Sequence, residues 1–542
     1  MNPERRGLVL VIVVLGISAV LGGVYGPSVR ATTSNTDDYQ SSVRDFTKIL
    51  DVVQNNYAET VDVDKAVYQG AIPGMLRTLD PHSNFFDARQ FALLREDQRG
   101  KYYGVGMVIA PRDNHTVVVA PYVGAPAYAA GLRPGDVILK VDDKSTDGLT
   151  TTEVADMLKG PKGTVVKINV SREGYGEPLT FTVTRDEIPR HSVDIAFLLK
   201  PGIGYVRLSQ FNETTDREIG EALKQLNANT LDGLILDMRG NPGGLLNEAV
   251  AVGDMFLEKN QLIVSYHGRN APERRFYAIR GNQGMTVPLV ILVNNNSASA
   301  AEIVTGAVQD HDRGMVVGET TFGKGLVQTV TPLAENTGLA LTTARYYTPS
   351  GRLIQRDYKS ISLYEYHYER KVPEHPSEIR QTDSGRQVTG GGGITPDIVV
   401  DTPKLSKFQE DLYRGDVFFP GEQGVGSFTR YYLGTKPTIT HNFEVDDKVL
   451  KEFRDYLTKH NIRFTEPEFT ENLDWTKRKI KQEVFMSNYG TAEGFKVLLE
   501  ADPQVQKAVE AVPQARALYE NARKVIAQRN GSNPNAVFNT QP

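Results

Sequence analysis

The sequence predicts a multidomain α/β protein. Continuous apolar runs such as Leu234-Ile235-Leu236 and Leu289-Val290-Ile291-Leu292-Val293 alternate with helical stretches between Gly204 and Pro349. That is the pattern of a largely parallel or mixed sheet covered on both faces. Ahead of it, from Gly100 to about Arg185, short strands and glycine-rich turns take over. The length of 542 residues is too great for one core and fits two to four domains.

In chain order, Arg5 and Arg6 precede an uncharged stretch, residues 7–29, whose apolar centre is 8–25. That is just long enough to cross a bilayer. The basic side stays inside, so the remaining chain is expected outside the cytoplasm, in a periplasm or equivalent space. A cleaved signal peptide, leaving a secreted protein, is the rival, although Val29-Arg30-Ala31 is a poor cleavage site. Residues 1–30 are therefore expected to form a membrane anchor. Residues 31–97 read as a helical region, with Val43, Phe46, Leu50, Val53 and Tyr57 on one face. It ends in Leu79-Asp80-Pro81-His82-Ser83, where the Asp-Pro pair reads as a turn rather than as part of a catalytic set.

Residues 98–186 form the β-rich domain. In Tyr103-Gly104-Val105-Gly106-Met107 a Gly-x-Gly loop leads into an apolar strand. Backbone N–H groups of such a loop can hold a carboxylate, and an open strand edge beside it can pair with an extended peptide.

Residues 187–402 form the α/β core. Asp237-Met238-Arg239-Gly240-Asn241-Pro242-Gly243-Gly244-Leu245 follows a strand and opens a helix, so unhindered amides gather at a helix N-terminus, where a developing oxyanion would need donors. Further on, Asn294-Asn295-Asn296-Ser297-Ala298-Ser299-Ala300-Ala301-Glu302 puts a serine on a small-residue turn at a helix start. Phe322-Gly323-Lys324-Gly325-Leu326-Val327-Gln328 then puts a lysine between glycines. A serine hydroxyl needs a base, and lysine serves only if burial disfavours its ammonium form. Ser299-x-x-Glu302 also fits a capping box, which is compatible with catalysis because a helix N-terminus favours negative charge. A polar, tyrosine-rich insertion at 356–389 contains Tyr364-Glu365-Tyr366-His367-Tyr368, read as a surface loop or a partner contact. Residues 403–542 read as a helical extension that packs on the core or aids oligomerisation, with disorder from Asn530.

Cysteine is absent, which excludes disulfides, thiol catalysis and cysteine-based zinc sites. No His-Glu-x-x-His spacing supports a metalloprotease, and no cofactor is expected. A net charge of −5 without a basic tail gives no case for nucleic acid.

Together these segments, over about residues 40–402, resemble the C-terminal processing peptidases, also called tail-specific proteases, an S41 family of PDZ-containing Ser–Lys enzymes. The resemblance implies a crotonase-like α/β core shared with the Clp peptidases, into which a PDZ domain is inserted. It implies Ser299 as nucleophile, Lys324 as base and Gln328 as the residue that orients the lysine. Gly243 or Gly244, with Gly244 preferred, would join the Ala300 amide as oxyanion donors. Tyr103, Gly104, Val105, Gly106 and Met107 would form the loop that holds the substrate's terminal carboxylate. One departure is Ala301, where many members carry a small hydroxyl residue. The implied partners are protein substrates with free, apolar C-terminal tails; a homo-oligomer and an adaptor stay open. Two other readings stand beside it: a Ser-His-Asp triad using His267 or His311, which leaves Lys324 without a role, and a non-catalytic PDZ scaffold, against which the complete residue set argues.

Overall fold

The computed structural model describes residues 36–112, 114–172, 174–368, 378–419, 425–435 and 439–532. The expected anchor at 8–25 lies outside them, as does the tail from residue 533. Among the described residues no helix is long and apolar enough to cross a membrane.

The chain divides into two compact units, Met1–Met75 and Leu76–Pro542. In the first, helix Thr36–Asn56 is amphipathic as its spacing predicts, and Phe46, Ile49, Val52 and Val53 are exposed on it.

The second unit begins with a short strand and helix Ala88–Arg99, then enters the β-rich domain through Lys101–Gly104. That strand pairs antiparallel with the exit strand Asp186–Pro189, from Lys101↔Pro189 to Gly104↔Asp186. Entry and exit are thus zipped together, which is how a domain can be inserted without disturbing its host. The domain's sheet runs in the order Met107–Arg112, His115–Pro121, Val137–Val141, Val165–Ser171, Leu179–Thr184. Helix Thr151–Leu158, capped reciprocally by Thr150 and Glu153, covers it. Val118, Ile138, Val154, Val166 and Ile168 fill the interior. Strand Met107–Arg112 is at the sheet's edge, and among the described residues no strand pairs with its other side.

The α/β core is a six-stranded sheet in the order Val193–Lys200, Ile203–Leu208, Gly233–Asp237, Leu289–Val293, Gly314–Gly318, Ile398–Val399. Its first pair is antiparallel and the rest are parallel. Because side chains alternate along a strand, one set (Leu234, Leu236, Leu289, Ile291, Val293) meets helices Leu246–Phe256 and Ala300–Asp310. The other set (Tyr205, Ile235, Val290, Leu292, Val317) meets Phe495, Leu499, Ala508, Ala511 and Val512 of the C-terminal extension. Helices Thr491–Leu499 and Pro503–Ser532 therefore complete the core. A β-carbon on Gly233 would lie 2.6 Å from Val512, so the helix sits directly on the strand. Helix Pro503–Ser532 runs past Asn530, where disorder was expected. The rest of the extension, around Phe408, Phe418, Phe428, Phe453 and Phe469, has its own aromatic core.

A second, antiparallel sheet joins Asn84–Phe86, Gly338–Tyr347, Leu262–Gly268 and Ala271–Tyr277, with Leu326–Pro332 also paired to Gly338–Tyr347. It carries the lysine segment to the end of the parallel sheet where helix Ala300–Asp310 begins.

Candidate active site

Ser299 is the N-cap of helix Ala300–Asp310, with φ 55° and ψ −113°. A non-glycine residue in that conformation costs about 1–3 kcal/mol and persists only where its surroundings over-determine it. Here they do. Strand Leu289–Val293 delivers Asn294, whose N–H donates to Ser297 Oγ at 2.9 Å, and Ser297 Oγ donates to the Met238 carbonyl at 2.8 Å. The Asn294 side chain accepts the Gly240 N–H at 2.9 Å, and the Ala298 N–H donates to the Asn241 carbonyl at 2.9 Å. The serine turn and the glycine turn are thus one hydrogen-bonded structure.

Glu302, three residues into the helix, is fully buried. Its Oε2 accepts the N–H of Ser299 at 2.8 Å and the N–H of Lys324 at 2.9 Å. Its Oε1 accepts the Thr321 hydroxyl at 2.5 Å and the Gly323 N–H at 2.7 Å. Burial pushes the carboxyl's pKa up, and these donors oppose it. The sequence reading saw only a capping glutamate; the structure makes it the tie between the serine turn and the lysine loop.

Lys324 Nζ donates to Gln328 Oε1 at 3.1 Å. Burial lowers the pKa of Lys324, against the opposing pull of Glu302 and Asp80. That is the direction a lysine base requires. Among the described residues no hydrogen bond joins Lys324 Nζ to Ser299 Oγ. Gln328 Nε2 in turn donates to the His82 carbonyl. Buried Tyr346, which sequence reasoning did not single out, directs its hydroxyl at the carbonyls of both Ser299 (3.2 Å) and Lys324.

The two glycines differ. The Gly243 N–H is committed to Asn241 Oδ1 at 2.8 Å, whereas those of Gly244 and Ala300 have no protein acceptor among the described residues. Gly243 serves by its lack of a side chain, since a β-carbon there would lie 2.8 Å from both Ser299 Cβ and Ala300 N. Arg239 holds the turn from behind: it pairs with buried Asp237 at 2.6 Å and reaches Asp502 at 2.7 Å and Gln504 at 2.9 Å in the C-terminal extension.

The two histidines of the triad alternative, His267 and His311, have other partners. Asp80 accepts the N–H groups of His82 and Ser83, as a turn residue does. His267 stacks on Tyr347 at 4.5 Å, and His311 caps the far end of the serine helix, bonded to Asp383 and the Leu262 carbonyl. The surface-loop reading of the insertion fails at one residue: Tyr364 is 66 % exposed but Tyr366 is 0 % exposed. Helix Leu363–Tyr368 seats Tyr366 against His82 and Phe322.

Val105, Gly106 and Met107 line a groove of about 870 Å³ between the β-rich domain and the α/β core, with Ile109 and Leu158 on one side and Arg190 and Arg207 on the other. Tyr103 and Gly104 are instead paired by their backbones to Glu187 and Asp186, and the Tyr103 hydroxyl donates to Glu187 at 3.3 Å. Gly106 needs its φ of 76°, and a β-carbon there would meet Ala125 Cβ at 2.5 Å.

Family models match three stretches: Peptidase family S41 at 202–360, PDZ domain at 117–172, and Activating protease CtpB N-terminal domain at 26–90. A carboxy-terminal-processing protease of Bartonella bacilliformis is 36% identical over 418 residues, 75% of this chain and 87% of that protein. The carboxy-terminal processing protease CtpA of Bacillus subtilis is 33% identical over 358 residues, 65% of this chain and 76% of that one. A solved structure titled photosystem II D1 C-terminal processing protease is 30% identical, covering 66% of this chain and 86% of that one, with a TM-score of 0.35.

Proposed function

Because the chain belongs to peptidase family S41 and is a serine-type carboxy-terminal processing protease, we propose that it cuts its substrates with a Ser299–Lys324 pair. The observation that carries this reading is the Glu302 carboxylate, whose Oε2 receives the backbone N–H of both residues. In the first step neutral Lys324 Nζ takes the Ser299 hydroxyl proton as Oγ bonds to the scissile carbonyl carbon. The oxyanion is met by the N–H groups of Gly244 and Ala300. The Lys324 ammonium then returns its proton to the departing amine, leaving an acyl-enzyme. Water, deprotonated by the same lysine, hydrolyses it. Lys324 Nζ turns from Gln328 toward Ser299 Oγ when substrate closes the site, since catalytic hydrogen bonds in a free enzyme are often unmade.

The PDZ domain's part is to take the substrate's free C-terminal tail as an added strand on the open edge of Met107–Arg112, its carboxylate at Val105–Gly106–Met107. Capture there raises the local concentration of the chain to be cut. The uncharged run behind Arg5 and Arg6 supports an anchor at 8–25, with the catalytic part outside the cytoplasm.

The test is cleavage of an unfolded protein with an apolar C-terminal tail by the parent, Ser299→Ala and Lys324→Ala, with an amidated tail as comparison. Loss in both variants and slower cutting of the amidated tail are expected. Near-parental activity in Lys324→Ala would remove the lysine from its role.

A further inference from the structure

Lys324 is held at its tip by Gln328, and Gln328 is held by the His82 carbonyl. What holds His82 comes from the insertion. His82 Nε2 and the Tyr366 hydroxyl are 2.8 Å apart, and the two rings meet edge-on with centroids at 5.6 Å. The same hydroxyl accepts from Gln355 Nε2 at 3.2 Å, and Gln355 Oε1 accepts the N–H of Gly325, next to the lysine. The Tyr366 ring also lies edge-on to Phe322, two residues before the lysine, at 5.6 Å. Arg356 places its guanidinium 4.6 Å from the centroids of both rings and donates to the Tyr366 carbonyl. Tyr366 thus touches the lysine loop on one side and the turn that fixes the lysine's partner on the other.

We infer that the insertion is a working part of the protease: Tyr366 is a positioning residue that, through His82 and Gln328, holds Lys324 in place and helps shield it from water. This rests on the reading of Lys324 as the base. Tyr366 is fully buried, and burial pushes its phenol up to about 12, so it is a neutral hydroxyl throughout the working range. The charged and titratable groups around the lysine are Glu302 on the serine helix, Asp80 and His82 on the preceding turn, Tyr346 on strand Gly338–Tyr347, and Arg356 beside Phe322. Burial is what lowers the lysine pKa, and only Glu302 and Asp80 pull it the other way. Loss of the Tyr366 packing would admit water and raise it.

The experiment is the pH dependence of kcat and KM for cleavage of an unfolded protein by the full chain, by Tyr366→Phe and by Tyr366→Ala, with thermal melts alongside. For Tyr366→Ala the acid limb of the kcat profile moves up by about one pH unit, so activity lost at neutral pH returns as pH is raised. For Tyr366→Phe, which keeps the ring and loses only the hydroxyl's contacts, kcat falls several-fold at unchanged KM. An acid limb fixed at the parental position in both variants overturns the inference, whatever the rates. If Tyr366→Ala does not fold, parental kcat in Tyr366→Phe overturns it. Lys324→Ala is run beside them: retained activity there fails the base assignment itself, a result distinguishable from failure of the role given to Tyr366.

Discussion

Ser299 and Lys324 lie on separate loops, yet both donate their backbone N–H groups to one atom, Oε2 of Glu302, at 2.8 and 2.9 Å. The proposed nucleophile and base are therefore registered through the main chain, independently of their side chains' rotamers.

Glu302→Gln tests that registration. An amide offers one acceptor oxygen where the carboxylate offers two, so two of the four donors lose their partner. Each buried orphan costs about 1–3 kcal/mol. The expected outcome is a fall of about 100-fold in kcat with a lowered melting temperature. Parental turnover would show that the shared carboxylate is dispensable.

Gly243→Ala and Gly240→Ala separate crowding from backbone strain. Both glycines have positive φ, but a β-carbon on Gly240 meets nothing within 4 Å, whereas one on Gly243 presses on Ser299 and Ala300. Gly240→Ala should cost about 1 kcal/mol of stability and little activity. Gly243→Ala should lower kcat by about 100-fold or more while leaving tail binding to the PDZ groove unchanged. Equal activity in the two variants would contradict the close approach.

Asp502→Ala probes the clasp between the C-terminal extension and the Gly243-Gly244 turn. Arg239 keeps Asp237 but loses its 2.7 Å partner in the extension. Turnover should fall several-fold, with stability reduced by about 1–3 kcal/mol and tail affinity unaltered. Titration calorimetry with a tail peptide, beside the kinetics, distinguishes this from general unfolding.

His311 predicts a pH dependence of stability. Burial alone would lower its pKa, but Asp383 and the Leu262 carbonyl outweigh it, and the net shift is upward. With the folded value above the unfolded one, the stabilisation is complete below about pH 6.5 and is lost as pH rises through the folded pKa. Melting of the Ser299→Ala protein should therefore drop between pH 6 and pH 8.5, by a few degrees, and the drop should flatten in Asp383→Asn. The same slope in both proteins would assign the effect to other groups.

Much of the site was legible because its parts are local. A glycine pair after a strand, a serine at a helix start and a lysine between glycines each announce themselves within a few residues, whereas Gln328 was picked out only by the family resemblance. Glu302 was visible as a capping residue, but its bonds to Thr321, Gly323 and Lys324 were not, because they join segments that become neighbours only on folding. Tyr346 and Tyr366 were hidden for the same reason. One is part of a strand with other tyrosines and the other part of a polar insertion, and nothing local separates the buried Tyr366 from the exposed Tyr364.

By itself the sequence determined the α/β class, the β-rich segment ahead of it and the serine, lysine and glycine turns, since periodicity, glycine spacing and short motifs are properties of contiguous residues; the roles expected of those turns, and the insertion of the β-rich domain, came from the family resemblance. Only the tertiary structure decided that Gly243 has its N–H taken up by Asn241 while that of Gly244 meets no acceptor among the described residues. It alone decided that the C-terminal extension is the second face of the core, because apolar helices with no motif declare no partner until the alternate side chains of Ile235, Val290 and Leu292 are seen to need covering.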